Sequence, residues 1–195
     1  AHHEVGTAGQ QEINYKFNLT FQPTDQLTTY VERIRAYMAG ETIMRGEKES
    51  ALRWIPGENI PPVPIDIACT GPKTIQMAVE AGDRISFAVG SAPERIEWAV
   101  GTAEAHLQKI GRDRSSLSIG AFVNLVCDPE EQRAIDIGRM IAGMVAHFAG
   151  MKNAPTDHLP PQLKSLAKHM QTDYDMEHHA QEEAQHANEV TDDFV

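Results

Sequence analysis

From residue 24 onward the chain alternates between two hydrophobic rhythms. In "PTDQLTTYVERIRAYMAGE" Leu27, Val31, Ile34 and Met38 recur every three or four residues, which predicts an amphipathic helix ended by Gly40. "VPIDIACT" and "DRISFAVG" are short apolar runs bounded by Gly and Pro, and each predicts a strand. Between them, "GPKTIQMAVEAG" predicts a short helix stopped at Gly82. "SAPERIEWAVGTAEAHLQKIG" predicts a long helix capped by Ser91, with Pro93 and Glu94 in its first turn. Its apolar face is Ile96, Val100, Ala103, Leu107 and Ile110. "LSIGAFVNLVCD" predicts a strand apolar on both faces. "DPEEQRAIDIGRMIAGMVAHFAG" predicts a helix capped by Asp128, with Pro129 in the first turn and two glutamates at the positive dipole end.

Strands and helices in regular alternation, with apolar strands, predict parallel βαβ units and an α/β fold. Residues 41–62 are an excursion without a strong period, punctuated by Pro56, Gly57, Pro61 and Pro62. Residues 151–195 turn polar and helical. Ahead of the first helix, "EVGTAG" reads as a strand end running into a glycine-rich loop. Residues 1–195 together read as a single domain.

Composition narrows the field. A chain of 195 residues with 41% hydrophobic residues can bury a sizeable core and is not disordered. The net charge of −11, without a basic block, argues against nucleic acid and anionic membrane as partners. No apolar stretch approaches the ~20 residues of a membrane span, and the first residues lack a secretory pattern. The cytoplasm is the expected compartment. Cys69 and Cys127 each close an apolar run without CxxC or histidine spacing, so both read as buried thiols at strand ends.

The chemistry gathers where "PIDIACT" gives way to "GPKT". A strand-to-helix junction offers free backbone N–H groups and the positive end of a helix dipole, a natural seat for a phosphate. Gly71 permits close approach to the backbone, Pro72 suits a first turn, and Thr70, Lys73 and Thr74 carry donors. The residues alone leave two readings open, a phosphate seat and a plain tight turn. Gly6, Thr7 and Gly9 form a second loop which, read alone, means a turn. His178, Glu182 and His186 share a helical face at spacings of four, but in a Gln- and Glu-rich setting they read as a solvated helix and not a metal site. His147, Trp54 and Trp98 read as packing residues. No Ser/His/Asp set, catalytic carboxylate pair or P-loop can be assembled, so no catalytic residue is named.

With these pieces in order the chain resembles the luciferase-like oxidoreductases, and within them the deazaflavin-dependent branch of the methylenetetrahydromethanopterin reductase type. "VGTAG", "PIDIACTGPKTIQMAVEAGDRI", "GRDRSSLSI" and "DYDMEHH…VTDDF" carry the resemblance. It implies a (β/α)8 TIM-type barrel, of which this chain would hold about strands four to seven, a partial barrel. It implies an enzyme transferring hydride between coenzyme F-420 and a small organic substrate, with an FMN-dependent monooxygenase as the alternative. A non-catalytic, flavin-binding or oligomerising partial barrel is the reading of another class. The resemblance favours the phosphate seat at Thr70, Gly71, Pro72, Lys73 and Thr74, and makes Gly6, Thr7 and Gly9 a cofactor-facing loop. In some relatives an acidic residue directly follows that loop. Here Gln10 and Gln11 do, so Glu12 receives no acid role. His178 or His179 would lean over the barrel mouth, and Lys73 with Arg84 would offset the cofactor's negative tail. The open sheet of a partial barrel, bare and apolar on its inner face, is expected to drive a homodimer or higher homo-oligomer.

Overall fold

A computed structural model describes residues 24–55, 61–151, 154–175, 178, 185–192 and 195. The loop at Gly6, Thr7 and Gly9, with the strand expected before it, lies outside them, as do His179 and Glu182. Helix α1 (Thr24–Met38) buries Leu27 and Val31, as its period requires. The excursion holds an antiparallel hairpin, β1 (Ile43–Arg45) and β2 (Lys48–Ser50), turning at Gly46 with φ 64°. Three-residue strands are too short to show a period, so the hairpin has no signature in the hydrophobic pattern. The Tyr37 hydroxyl donates to Ser50 Oγ at 2.7 Å and ties the hairpin to α1.

The centre is a parallel sheet. β3 (Asp66–Cys69), α2 (Pro72–Ala81), β4 (Arg84–Phe87), α3 (Pro93–Ile110) and β5 (Ser118–Ala121) follow one another, and the strands lie in the order β3-β4-β5. Ile67, Ile85 and Ile119 align across the three strands, as do Cys69, Phe87 and Ala121. Ile67, Cys69, Ile85 and Phe87 are buried in one core with Ile75, Ala78 and Val79 of α2 and with Ala99, Ala103 and Leu107 of α3. Two further helices, α4 (Glu131–Ala149) and α5 (Pro161–Asp173), form a smaller core through Ala146, Ala149, Leu163, Ala167 and Met170. Gly150 lets α4 end against the backbone of Ala167, where a Cβ would meet the carbonyl oxygen.

Several expectations need correction. The second face of the sheet is polar, not apolar. It carries Asp66, Arg84 and Ser86, with Arg84 Nε 3.2 Å from Asp66 Oδ2 and Ser86 Oγ donating to the same oxygen at 2.7 Å. "DIAC" and "RISF" alternate with period two, a signal that their high apolar content obscures. The strand expected over 117–128 pairs only at Ser118–Ala121, with one further bond from Phe122 N–H to Phe87 O. Beyond it β4 turns away at Gly90, and the ladder has no partner left. Phe122, Val123 and Leu125 are exposed as a result, and Cys127 is an exposed thiol past the strand. Cys69 is buried, and burial first, then Asp66, pushes its thiol up to about 12. Trp54 is 76% exposed, not a buried packing residue. The residue capping α3 is Ala92, not Ser91, and α4 starts at Glu131 after Glu130, with Asp128 Oδ1 accepting the Glu130 N–H instead of capping directly.

Candidate functional site

In a parallel sheet with helical crossovers, the carboxyl ends of the strands open onto helix N-termini. Here the end of β3 runs through Thr70 into Gly71, the N-cap of α2, in extended conformation at φ −111° and ψ 164°. Among the described residues a Cβ on Gly71 would have no neighbour nearer than Thr74 Oγ1 at 3.9 Å, so they leave the space before this backbone open. The Thr74 hydroxyl is committed to the turn. It donates to Gly71 O at 2.9 Å and accepts the Gly71 N–H at 3.2 Å. Ile75 N–H closes the first helical bond to the same carbonyl. Pro72 has no N–H, which leaves the N–H groups of Lys73 and Thr74 at the helix start without an acceptor among the described residues. The Lys73 side chain is exposed and forms no ion pair with a described residue. Two amides, an ammonium group and a glycine-wide approach can hold an anion.

Beside it, β4 ends in Val89 and Gly90, the latter at φ 84°. A Cβ there would lie 2.6 Å from Val145 Cγ1, so glycine allows both the left-handed turn and the approach of α4. The following residues, Ser91 to Pro93, line a cavity of about 700 Å3 with Val123–Val126, the Ala134–Val145 face of α4 and Leu163 of α5. Its walls are largely aliphatic, with Ser91, Asn124, Glu131 and Gln162 as the polar groups. Thr70–Thr74 do not line it. The two features sit side by side at the ends of neighbouring strands.

Arg84 stands elsewhere. It pairs in register with Asp66, the first residue of β3, whereas Lys73 lies beyond that strand's far end. The sheet therefore separates Lys73 from Arg84, and the expected basic cluster does not form. Of the histidines, His178 stands in a turn with Nδ1 2.7 Å from Asp175 Oδ2, and His186 is buried in a 3-10 helix (Gln185–Glu189), its Nδ1 accepting the Asp175 N–H at 3.1 Å. His147 packs as expected, its ring stacked on Tyr174 at 4.0 Å. Trp98 packs against the first core and stacks on His158, 4.5 Å between centroids and 9° from parallel. Arg95, which the sequence reading passed over, is buried beneath it.

The sequence pattern of the luciferase-like monooxygenase family matches residues 3–195, and the chain belongs to that family. It is 26% identical over 144 residues to the 5,10-methylenetetrahydromethanopterin reductase of Archaeoglobus fulgidus, covering 71% of this chain and 42% of the reductase. A stretch of 44 residues, 22% of this chain, is 52% identical to the glutamine synthetase of Mycolicibacterium smegmatis, covering 9% of that enzyme. Among solved structures, the coenzyme F-420 dependent tetrahydromethanopterin reductase of Methanopyrus kandleri superposes with a TM-score of 0.51 at 21% identity, covering 68% of this chain and 38% of the other. An F-420-dependent secondary alcohol dehydrogenase, solved with an F-420-acetone adduct, gives 0.55 at 18% identity, covering 88% and 46%. The chain thus spans less than half the length of each of these relatives. Its α/β fold is that of a partial TIM-type barrel of the luciferase-like kind.

Proposed function

We infer that this chain is the cofactor-holding part of a luciferase-like oxidoreductase that moves hydride between coenzyme F-420 and a small organic substrate. The observation that carries this is the β3–α2 junction, where among the described residues Gly71 is unobstructed and the Lys73 and Thr74 amides lack acceptors, in a family whose relatives include F-420-dependent enzymes. Thr70, Gly71, Pro72, Lys73 and Thr74 hold the cofactor phosphate in this reading, the last through its N–H and not its hydroxyl. Gly6, Thr7 and Gly9 form the second cofactor-facing loop. The bound deazaflavin ring supplies the redox chemistry, and the protein positions it and excludes water. The description of the family as monooxygenases supports FMN as the alternative cofactor, since it too carries a phosphate.

Titration with F-420 and with FMN, followed by absorbance and fluorescence quenching, separates the cofactors. The double substitution Gly71→Asp with Lys73→Glu places two negative charges at the seat and is expected to abolish binding while circular dichroism stays unchanged. Wild-type affinity in that variant would place the phosphate elsewhere.

A further inference from the structure

The first turn of α3 buries a cation that no carboxylate of the described residues neutralises. Arg95 is 2% exposed, and burial lowers its guanidinium to about 10. It lies at the positive end of an 18-residue helix, where a cation is unfavourable. Its Nη1 donates to His158 Nε2 at 2.8 Å, and its guanidinium carbon lies 4.6 Å from the centre of the Trp98 ring. Nε has no hydrogen bond with a described residue. Glu94 and Glu97, its neighbours on α3, are exposed, and Asp157, beside His158, is fully exposed, its carboxylate 3.8 Å from Lys164 Nζ.

A guanidinium can only donate. His158 Nε2 therefore accepts, the ring proton sits on Nδ1, and the imidazole is neutral. A second proton would remove that acceptor and set a cation against the buried guanidinium. Burial first, and then Arg95, hold the His158 imidazole below its ordinary range, with Asp157 opposing in part. The contact joins two walls of one space. Ala92 and Pro93, just before Arg95, line the 700 Å3 cavity, and so do Pro160, Gln162 and Leu163, just after His158.

We propose that Arg95, Trp98 and His158 form a proton-sensitive latch, which holds residues 154–160 and the start of α5 against α3 and opens that side of the cavity when His158 is protonated. Because opening takes up one proton, its equilibrium constant rises by up to about tenfold for each pH unit as pH falls from the ordinary imidazole range towards the lowered His158 value of the closed state, and levels off below that value.

The test uses Trp54→Phe, which leaves Trp98 as the single tryptophan. Lowering the pH is expected to give a fluorescence step with a midpoint below 6.5. As pH falls from the ordinary imidazole range towards that midpoint, amide hydrogen exchange in residues 159–173 should rise by up to about tenfold per pH unit after correction for the intrinsic rate, while α2 and the sheet stay protected. His158→Gln keeps an acceptor but cannot titrate, and should show neither change. Exchange in 159–173 that ignores pH in the parent overturns the latch. So does an equal rise in His158→Gln, or a rise spread over the whole chain. Should His158→Gln fail to fold, the regional exchange pattern of the parent decides alone.

Discussion

The two ends of the central sheet are built for different work. At the amino ends of the strands nearly every polar group is tied. Asp83 Oδ2 accepts the Ile65 N–H and an Arg35 Nη1 proton, both at 2.8 Å, while its backbone carbonyl accepts the Ser118 N–H at 3.0 Å. One residue thereby joins the approach to β3, helix α1 and β5. Arg35 and Arg112 donate to the Ala81 and Val79 carbonyls at the C-terminal end of α2, cations where the dipole favours them. At the carboxyl ends the pattern reverses. Gly71 leaves its backbone open among the described residues, the Lys73 and Thr74 amides have no acceptor there, and an apolar cavity opens beside them. Cross-links between elements concentrate at one end, and open backbone with an apolar cavity at the other, while the cavity of about 430 Å3 at the tied end is lined by the charged groups Glu32, Arg35, Glu80, Asp83 and Arg112.

A pair of alanines should break this comparison most clearly. A Cβ on Gly82, at the tied end, would lie 2.9 Å from both the Ala78 and Arg84 carbonyl oxygens, and neither backbone can yield cheaply. Gly82→Ala is expected to cost about 1–3 kcal/mol in urea unfolding, as overpacking does. At the open end a Cβ from Gly71→Ala would make only an ordinary contact, 3.9 Å from Thr74 Oγ1, among the described residues, and the dihedrals are ordinary extended ones, so its stability should change by less than about 0.5 kcal/mol. It should instead weaken cofactor binding by narrowing the approach. Equal stability losses in the two variants would mean the ends are not specialised.

Asp83 sharpens the tied end through pH. Partial burial pushes its carboxyl up, but the Ile65 N–H and Arg35 outweigh this, with help from Arg112, and hold it below the ordinary carboxylate range. A carboxyl depressed on folding contributes stability that is complete above its unfolded pKa and fades as pH falls through the folded value. Asp83 and Arg35 are 38% and 42% exposed, so screening keeps the contribution near 0.2–1 kcal/mol. Asp83→Asn should therefore cost about that much at pH 7 and nothing near pH 2, by urea melts at both. A gap that persists at the acid end would assign the role to shape and not to charge.

The contrast between the ends was only half legible in the sequence. Helices α1, α2 and α3 were readable because long apolar periods and the stops at Gly82 and Gly111 agree. The Gly-Pro-Lys junction was readable as a strand-to-helix turn, though not the engagement of the Thr74 hydroxyl, which depends on a rotamer. The polar face of the sheet was present as an alternation of Asp66 with Ile67 and of Arg84 with Ile85, but strands of four residues scarcely register a period. The buried cation left a trace as well. Arg95 precedes Ala99, Ala103 and Leu107 at steps of four, on the stripe that packs inward. What no local pattern could supply was His158, its partner 63 residues further on.

The smallest expected effect on stability, and the last separation of the two ends, concerns Leu125. A homodimer was expected from an apolar inner face, but that face carries Asp66, Arg84 and Ser86, which water solvates well. The apolar surface instead lies past the carboxyl end of β5, where Phe122, Val123 and Leu125 are 62%, 47% and 82% exposed. Among the described residues β5 pairs on one side only, so its outer edge offers free N–H and C=O groups directly beside this patch. An edge strand next to a run of exposed aliphatic groups can pair antiparallel with its own copy, which a two-fold axis satisfies for both chains at once. We therefore propose that the chain dimerises through this edge and that Leu125→Lys prevents it. Lysine at so exposed a position should leave the melt within about 0.5 kcal/mol of the parent. Light scattering at micromolar concentration should give the mass of two chains for the parent and one for the variant. One chain for both would show that the polar face already suffices to keep the open sheet apart from its copies, and two chains for both would move the interface away from the open end.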